Sequence, residues 1–409
     1  MSLIEPRRIG PLLATFLVAG NMIGAGIYIL PASIAPFGTS SLVGWLVSAA
    51  GGVALAAVFA ILGRLRPEAD GIHAYARTAL HPFLGFVTWF SYWIGCPLSN
   101  VAIGLTAVGY LTSLIPGLGG PLPTLLALLF VIWVFTLLNL LGPRMVTRLG
   151  GVALVLGLLP ILAAIGFGLF AFNPDLFAAS WNPTGKPVLQ NVPGMVLLIF
   201  WAFLGMECAN AIAAKVQNPA RDIPIAAMGG IAIATVVYIA ACVAVQGVMP
   251  PAELARSTAP FADVVARLAG PVAGVLVAVF AVVKTSGTLA GWILVTAETA
   301  RAGAGVGYFP KLLTETDPAV LPRRGIIVTG VLMSLVALLT ASPTLAKQLN
   351  VLIGATVAST MLAYVLCCAA LVREARLIGD PARRVGTQVL AVGTLAFSVW
   401  VVWAWAVSL

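Results

Sequence analysis

Apolar residues run along this chain in eleven blocks, roughly 11–36, 42–62, 83–115, 122–142, 150–172, 192–214, 223–248, 270–300, 325–342, 348–372 and 387–408. Each block supplies the ~20 residues that one bilayer-spanning helix needs. The pattern therefore predicts an all-α polytopic membrane protein with about 11 transmembrane helices. The third and eighth blocks are longer than a bilayer requires, which predicts tilt or ends that project into water. Polar residues collect in the connections. Two of these, HAYARTALHPFLG from His73 and APFADVVARLAG from Ala259, mix Ala, Arg and aromatics in an amphipathic pattern.

One stretch breaks the apolar pattern from inside. Gly20-Asn21-Met22-Ile23-Gly24-Ala25-Gly26 lies within the first block, with Pro31 soon after. A free backbone N–H or C=O in a bilayer interior costs several kcal/mol. An interrupted helix there calls for a ligand that satisfies the freed groups. The alternative is a Gly-rich helix that packs closely on a neighbour. The sixth block carries a second candidate break at Phe203-Leu204-Gly205-Met206-Glu207.

Composition excludes a water-soluble domain, because 61% of the residues are hydrophobic and only 9% charged. The net charge of +9 comes from basic residues spread thinly between the apolar blocks. That spread fits membrane topology and gives no nucleic-acid patch. Counting alternate connections, seventeen Lys and Arg fall on one side, including Arg64, Arg66, Arg144, Arg301 and Arg384, against Lys186, Arg256, Arg267 and Lys347 on the other. The basic side is cytoplasmic by the positive-inside rule, so the N-terminus is expected inside and, after eleven spans, the C-terminus outside. The opening residues show no cleavable signal pattern, and the first block is expected to remain as a helix. The five cysteines form neither a metal-ligand spacing nor a disulfide framework, and no cofactor is expected.

Two charges lie inside the blocks, Glu207 in the sixth and Lys284 in the eighth, while Glu298 sits nearer a water-facing end. A charge at the centre of a span costs about 2.5–3.5 kcal/mol on insertion scales. Such residues serve transport, or they form a buried pair that only holds helices together. The two candidate breaks lie five spans apart, as do the two amphipathic connections. Five is odd, so two copies of a five-helix unit would be inverted and would bring their broken helices face to face. The division expected is 1–182 for the first repeat, 183–375 for the second, and 376–409 for a peripheral helix.

Several segments together carry a family resemblance. They are GNMIGAGIYILPA in the first block, DGIHAYARTALHPFLGFVTWFSYWIGCPLSN into the third, LLNLLGPRMVTRLGG at the fourth, WAFLGMECANAIAAKVQNPARDIPIA at the sixth, and SGTLAGWILVTAETARAGAGVGYFP at the eighth. The chain resembles the amino acid–polyamine–organocation (APC) transporters over residues 10–375, and among them the bacterial arginine/agmatine antiporter group. The resemblance implies a five-plus-five inverted-repeat, LeuT-like fold with helices 1 and 6 broken. It implies that Ile23, Gly24, Ala25 and Gly26 hold a substrate carboxylate on exposed N–H groups, with Asn21 at the substrate's edge. The break near Leu204 takes the substrate ammonium on free carbonyls. Trp201 matches an aromatic that stacks on the cationic end, a contact of about 2 kcal/mol when desolvated, and Trp292 matches a cytoplasmic-side gate. Read from residue type alone, both tryptophans are packing or interface residues. Gly95, Cys96 and Asn100 match positions that receive a guanidinium. Tyr92 matches a tyrosine beneath the site, and Glu207 a carboxylate linked to gating or proton sensing.

Three departures from that group stand out. Ala25 occupies a position where a small hydroxyl residue is usual. Lys284 stands where the group has no charge, so it either replaces a coupling cation or shuttles protons. The family usually has twelve spans, against eleven blocks here. The reading that follows is a sodium-independent amino acid antiporter of the bacterial inner membrane, exchanging arginine or a similar amino acid for its amine, with a homodimer possible. The alternative is a proton-coupled permease or exporter of neutral amino acids that uses Lys284. No nucleophile-and-base motif or pore-like charge ring supports an enzyme or a channel.

Overall fold

A computed structural model describes residues 10–207, 216–310, 313 and 320–408. Sixteen α-helices are present among the described residues. The first block holds α1 (Pro11–Met22) and α2 (Gly26–Ile34), separated by Ile23, Gly24 and Ala25. Then come α3 (Ser41–Leu65), the short α4 (Ile72–Ala79), α5 (Pro82–Leu114), α6 (Pro121–Leu140) and α7 (Pro143–Phe170). The short α8 (Pro174–Ala179) leads to α9 (Val188–Ile199), α10 (Pro219–Gln246), α11 (Pro251–Leu254) and α12 (Pro260–Ala269). The chain ends with α13 (Pro271–Gly305), α14 (Arg323–Leu339), α15 (Leu345–Glu374) and α16 (Pro381–Ala406). Every apolar block therefore contains helix, and eight described stretches are long and apolar enough to cross a bilayer. The shorter helices α1 and α9 are the ones that end at candidate breaks.

Proline sets where many of these helices begin. Ten of the sixteen open on a proline, whose missing N–H is one that a first turn leaves unpaired anyway. This explains why α7 starts at Pro143, seven residues before its apolar block: its first turns carry Arg144 and Arg148, whose apolar stems let the charges reach water.

Burial separates inner from outer helices. In α5, 78% of the most apolar stretch is buried, against 22% in α6, so α5 is a central post and α6 faces outward. Leu122, Leu126, Phe130 and Leu137 of α6 are exposed apolar side chains suited to lipid contact. Around the centre the packing comes in matched pairs. α5 lies against α15 and α13 against α7; α4 bridges α5 and α15 while α12 bridges α13 and α7. α1 packs on α10, and α9 packs on α3. Each amphipathic connection buries its apolar face, α4 through Tyr75 and Ala76 and α12 through Phe261, Val264 and Val265. His73 goes into that buried face as well, 6.0 Å from the Tyr308 ring, instead of standing in solvent as a residue of a polar connection would.

Tyrosine hydroxyls and one ion pair fasten the helices together. The Tyr28 hydroxyl of α2 donates to the Gly157 carbonyl on α7, and Tyr110 of α5 donates to the Tyr28 carbonyl at 2.9 Å. At the arginine-rich end Arg66 makes a two-pronged contact with Glu374, at 2.7 and 3.1 Å, joining the ends of α3 and α15.

The contact between α12 and α13 is close enough to require glycine. A Cβ on Gly274 would lie 2.5 Å from Ala266 Cβ and 3.0 Å from the Ala262 carbonyl oxygen. Gly274→Val is expected to destabilise the protein by about 1–3 kcal/mol through overpacking. Gly386→Ala on α16, where nothing lies within 4 Å, should stabilise by up to about 1 kcal/mol through helix propensity. Thermal denaturation of the purified variants checks both.

Candidate functional site

The first break exposes the start of a helix. α1 ends when the Ile23 N–H donates to the Ala19 carbonyl at 2.8 Å, and the Gly24 N–H then turns back to Met22 O at 2.6 Å. Ala25 precedes α2 and its side chain makes no capping hydrogen bond. The leading N–H groups of a helix have no intrahelical acceptors. A hydroxyl at the cap position would satisfy one of them; alanine leaves it open. The N-terminus of α2 thus presents donors and the positive end of its dipole to whatever lies in front of it.

The second candidate break presents the opposite polarity. α9 stops at Ile199 and tightens into a 3-10 turn over Phe200–Phe203. Leu204 is extended (φ −64°, ψ 146°) and Gly205 has φ 97°, a left-handed conformation that favours glycine. A side chain on Gly205 would also meet the Trp292 ring at 3.3 Å. The continuation of the sixth block through 208–215 lies outside the described residues.

One residue joins the two interruptions. The Tyr238 hydroxyl of α10 lies 2.6 Å from Met22 O and 3.1 Å from Ala202 O, so its single hydrogen is shared between a carbonyl of each break. Its ring is held by Trp45 at 5.6 Å and Phe203 at 5.9 Å. Nothing in the local sequence around Tyr238 marks it, because its partners are remote in the chain.

Between the breaks lies a cavity of about 50 Å³. Gly24, Ala25, Gly26, Tyr92, Gly95, Cys96, Trp201, Leu204, Glu207 and Trp292 all line it. Ser99, Thr356 and Thr360 add hydroxyls that the motif reading missed. Ser99 falls on the stripe Tyr92, Cys96, Ser99, Ile103 at helical spacing along α5, so periodicity offered a signal for it. Its oxygen accepts from the Trp201 indole N–H at 3.0 Å. The Thr356 hydroxyl is buried without a partner among the described residues.

Three other candidates sit elsewhere, and the side chain of a fourth, Asn21, is not described. Ile23 is buried at the end of α1 and is not on the cavity wall. Asn100 is fully buried behind the wall, its amide N–H donating to Thr296 Oγ1 at 3.0 Å, which ties α5 to α13. Asn21 closes α1, with its side chain outside the described residues. Lys284 opens into a separate cavity. No ion pair joins Lys284 to Glu207 among the described residues, so the buried-pair reading of these two charges does not hold there.

Glu207 is instead saturated by neutral donors. It accepts from the Tyr92 hydroxyl at 2.7 Å, from the Tyr364 hydroxyl, and from the Gly205 N–H at 3.1 Å. Tyr92 and Glu207 also line a larger space of about 820 Å³ with Asp70, His73, Trp89 and Glu298, at the arginine-rich end. Tyr92 and Glu207 are therefore the partition between the central cavity and this vestibule, and Tyr364, on neither wall, braces Glu207 through its hydroxyl. Within the vestibule burial lowers the His73 imidazole below its ordinary pKa, against a smaller upward pull from Asp70.

Comparison with known proteins decides the family. The family model described as "Amino acid permease" matches residues 9–407. The chain belongs to the amino acid permease family of the APC superfamily. This permease is 35% identical over 372 residues to the putrescine transporter PotE of Escherichia coli (strain K12), covering 91% of this chain and 85% of that protein. It is 36% identical over 372 residues to the cadaverine/lysine antiporter of the same strain, covering 90% and 84%. The putrescine transporter PotE of Haemophilus influenzae is 34% identical over 367 residues, with coverage of 90% and 84%. The permease is a multi-pass membrane transporter and not an enzyme.

Tyr238→Phe keeps the ring and deletes the shared hydrogen. A net loss of about 1 kcal/mol is expected from the missing hydrogen bond, together with slower transport, since the two breaks lose their tie. Thermal denaturation and proteoliposome uptake on the same preparation check this; a variant equal to wild type in both contradicts it.

Proposed function

We propose that this permease is a sodium-independent antiporter of the bacterial inner membrane that exchanges a cationic amino acid, such as arginine, for its decarboxylated amine, such as agmatine. One observation carries the reading: the uncapped start of α2 and the carbonyl-bearing end of α9 face the same cavity, with Trp201 on its wall. Donors at one break suit a carboxylate and acceptors at the other suit an ammonium. Trp201 and Trp292 supply ring faces for a cationic end. The printed names of the relatives, a putrescine transporter and a cadaverine/lysine antiporter, fit amine and amino acid exchange.

The matched packing of α5 with α15 and of α13 with α7 supports two inverted repeats, 1–182 and 183–375, with 376–409 peripheral. The basic residues at the vestibule end support a cytoplasmic N-terminus. In that frame the vestibule is the inner mouth, Tyr92 and Glu207 close it with Tyr364 bracing Glu207, and Trp292 is the adjoining gate. A cavity of about 50 Å³ holds a few waters rather than an amino acid, so substrate entry requires this partition to move.

A second reading, export of neutral amino acids, is favoured by one feature. Glu207 is the one carboxylate on the described cavity wall, and both its oxygens are already engaged.

Counterflow in proteoliposomes separates the two. Labelled arginine or lysine should enter when arginine, agmatine or cadaverine is trapped inside, without sodium. Trp201→Ala should weaken apparent affinity about 30-fold, matching loss of about 2 kcal/mol of cation–π contact. Counterflow of labelled leucine or methionine, with none for any cation, would replace the first reading by the second.

A further inference from the structure

Lys284 is a basic residue inside an apolar block, and it does not line the central cavity. It lies on α13, only 6% exposed, and its aliphatic stem runs against α7 at Gly157. Among the described residues its ammonium has no ion pair and no hydrogen-bond acceptor. Beside it is a cavity of about 310 Å³ between α1, α7 and α13, lined by Leu17, Gly20, Gly150, Leu154, Lys284 and Trp292 among others. No carboxylate lines this cavity. Thr288 and Trp292 are shared with the central cavity, and Val295 with the vestibule.

A buried ammonium is tolerated in two ways: it sheds its proton, or it takes a counter-ion. A neutral amine needs no space and packs against apolar walls. Here the space beside the amine is larger than the central cavity itself. Val295 alone lines both it and the vestibule, so a single apolar side chain stands between the two spaces.

We propose that this cavity is a binding site for a small monovalent inorganic anion of the chloride kind, held by the Lys284 ammonium. The anion cancels the Lys284 charge on the far side of Trp292. It thereby removes repulsion that a cationic solute would meet on the other side of that ring. The site does not depend on which solute the central cavity carries.

The test uses the purified full chain in nanodiscs of phosphatidylcholine, with sodium chloride exchanged for sodium gluconate at constant ionic strength. The thermal midpoint should rise saturably with chloride, by about 2 °C well above Kd. Lys284→Met should abolish the rise. Gly150→Leu, which keeps the amine but fills its cavity at a position with nothing within 4 Å, should abolish it as well and serves if the first variant does not fold. A flat wild-type response overturns the proposal, and so does an undiminished response in either variant. Stabilisation by added phosphatidylglycerol with no chloride effect also overturns it, in favour of a lipid headgroup.

Discussion

A peptide group in a bilayer interior must be hydrogen-bonded, and the centre of this permease is built around places where the helix itself does not do so. At Ile23–Ala25 and at Leu204–Gly205 the regular ladder stops while the chain is still enclosed by other helices. Unsatisfied groups there cost several kcal/mol each in lipid. Tyr238 meets part of that demand by sharing its hydrogen between Met22 O and Ala202 O. The N–H groups at the start of α2 are left without a side-chain cap because Ala25 has no oxygen to offer. Donors held open in this way are costly in the empty protein and rewarding once an anion group docks. That difference allows a carrier to prefer its loaded state.

The same economy of partners shapes the gate. Tyr92, Tyr364 and the Gly205 N–H all converge on Glu207. A carboxylate solvated by three neutral donors is stable without a cation beside it. It also stands at the end of the second break, so movement of Leu204 and Gly205 alters the partition directly. On the proposed function, binding in the central cavity and opening toward the vestibule would be linked through these few adjacent residues. Lys284 lies outside this group and lines a separate cavity that shares Trp292 with the central one.

What the sequence revealed depended on how local each signal was. The apolar blocks and the amphipathic connections at α4 and α12 were legible because each is a pattern within about twenty residues. The Gly24–Gly26 interruption was legible for the same reason, and Tyr92, Cys96 and Trp201 came through short motifs. Tyr238 was not legible: a tyrosine in an apolar run looks like packing until its hydroxyl is seen between two distant carbonyls. Thr356 and Thr360 were missed likewise, since no motif on α15 singles them out. Asn100 read as a ligand by its place on α5, yet one turn beyond Cys96 it rotates behind the wall and spends its amide on Thr296. α7 begins seven residues before its apolar block, because an apolar count stops at Arg144 and Arg148 although the helix does not.

The most direct test is a structure of the permease determined with its transported solute bound. The solute's carboxylate should lie about 2.7–3.2 Å from the N–H groups of Ala25 and Gly26, with its ammonium on carbonyls beside Ala202 and Leu204 and its side chain against Trp201. Density for the solute held elsewhere, with the N–H groups at the start of α2 still facing empty space, would contradict the idea that bare peptide groups at the two interruptions form the transport site.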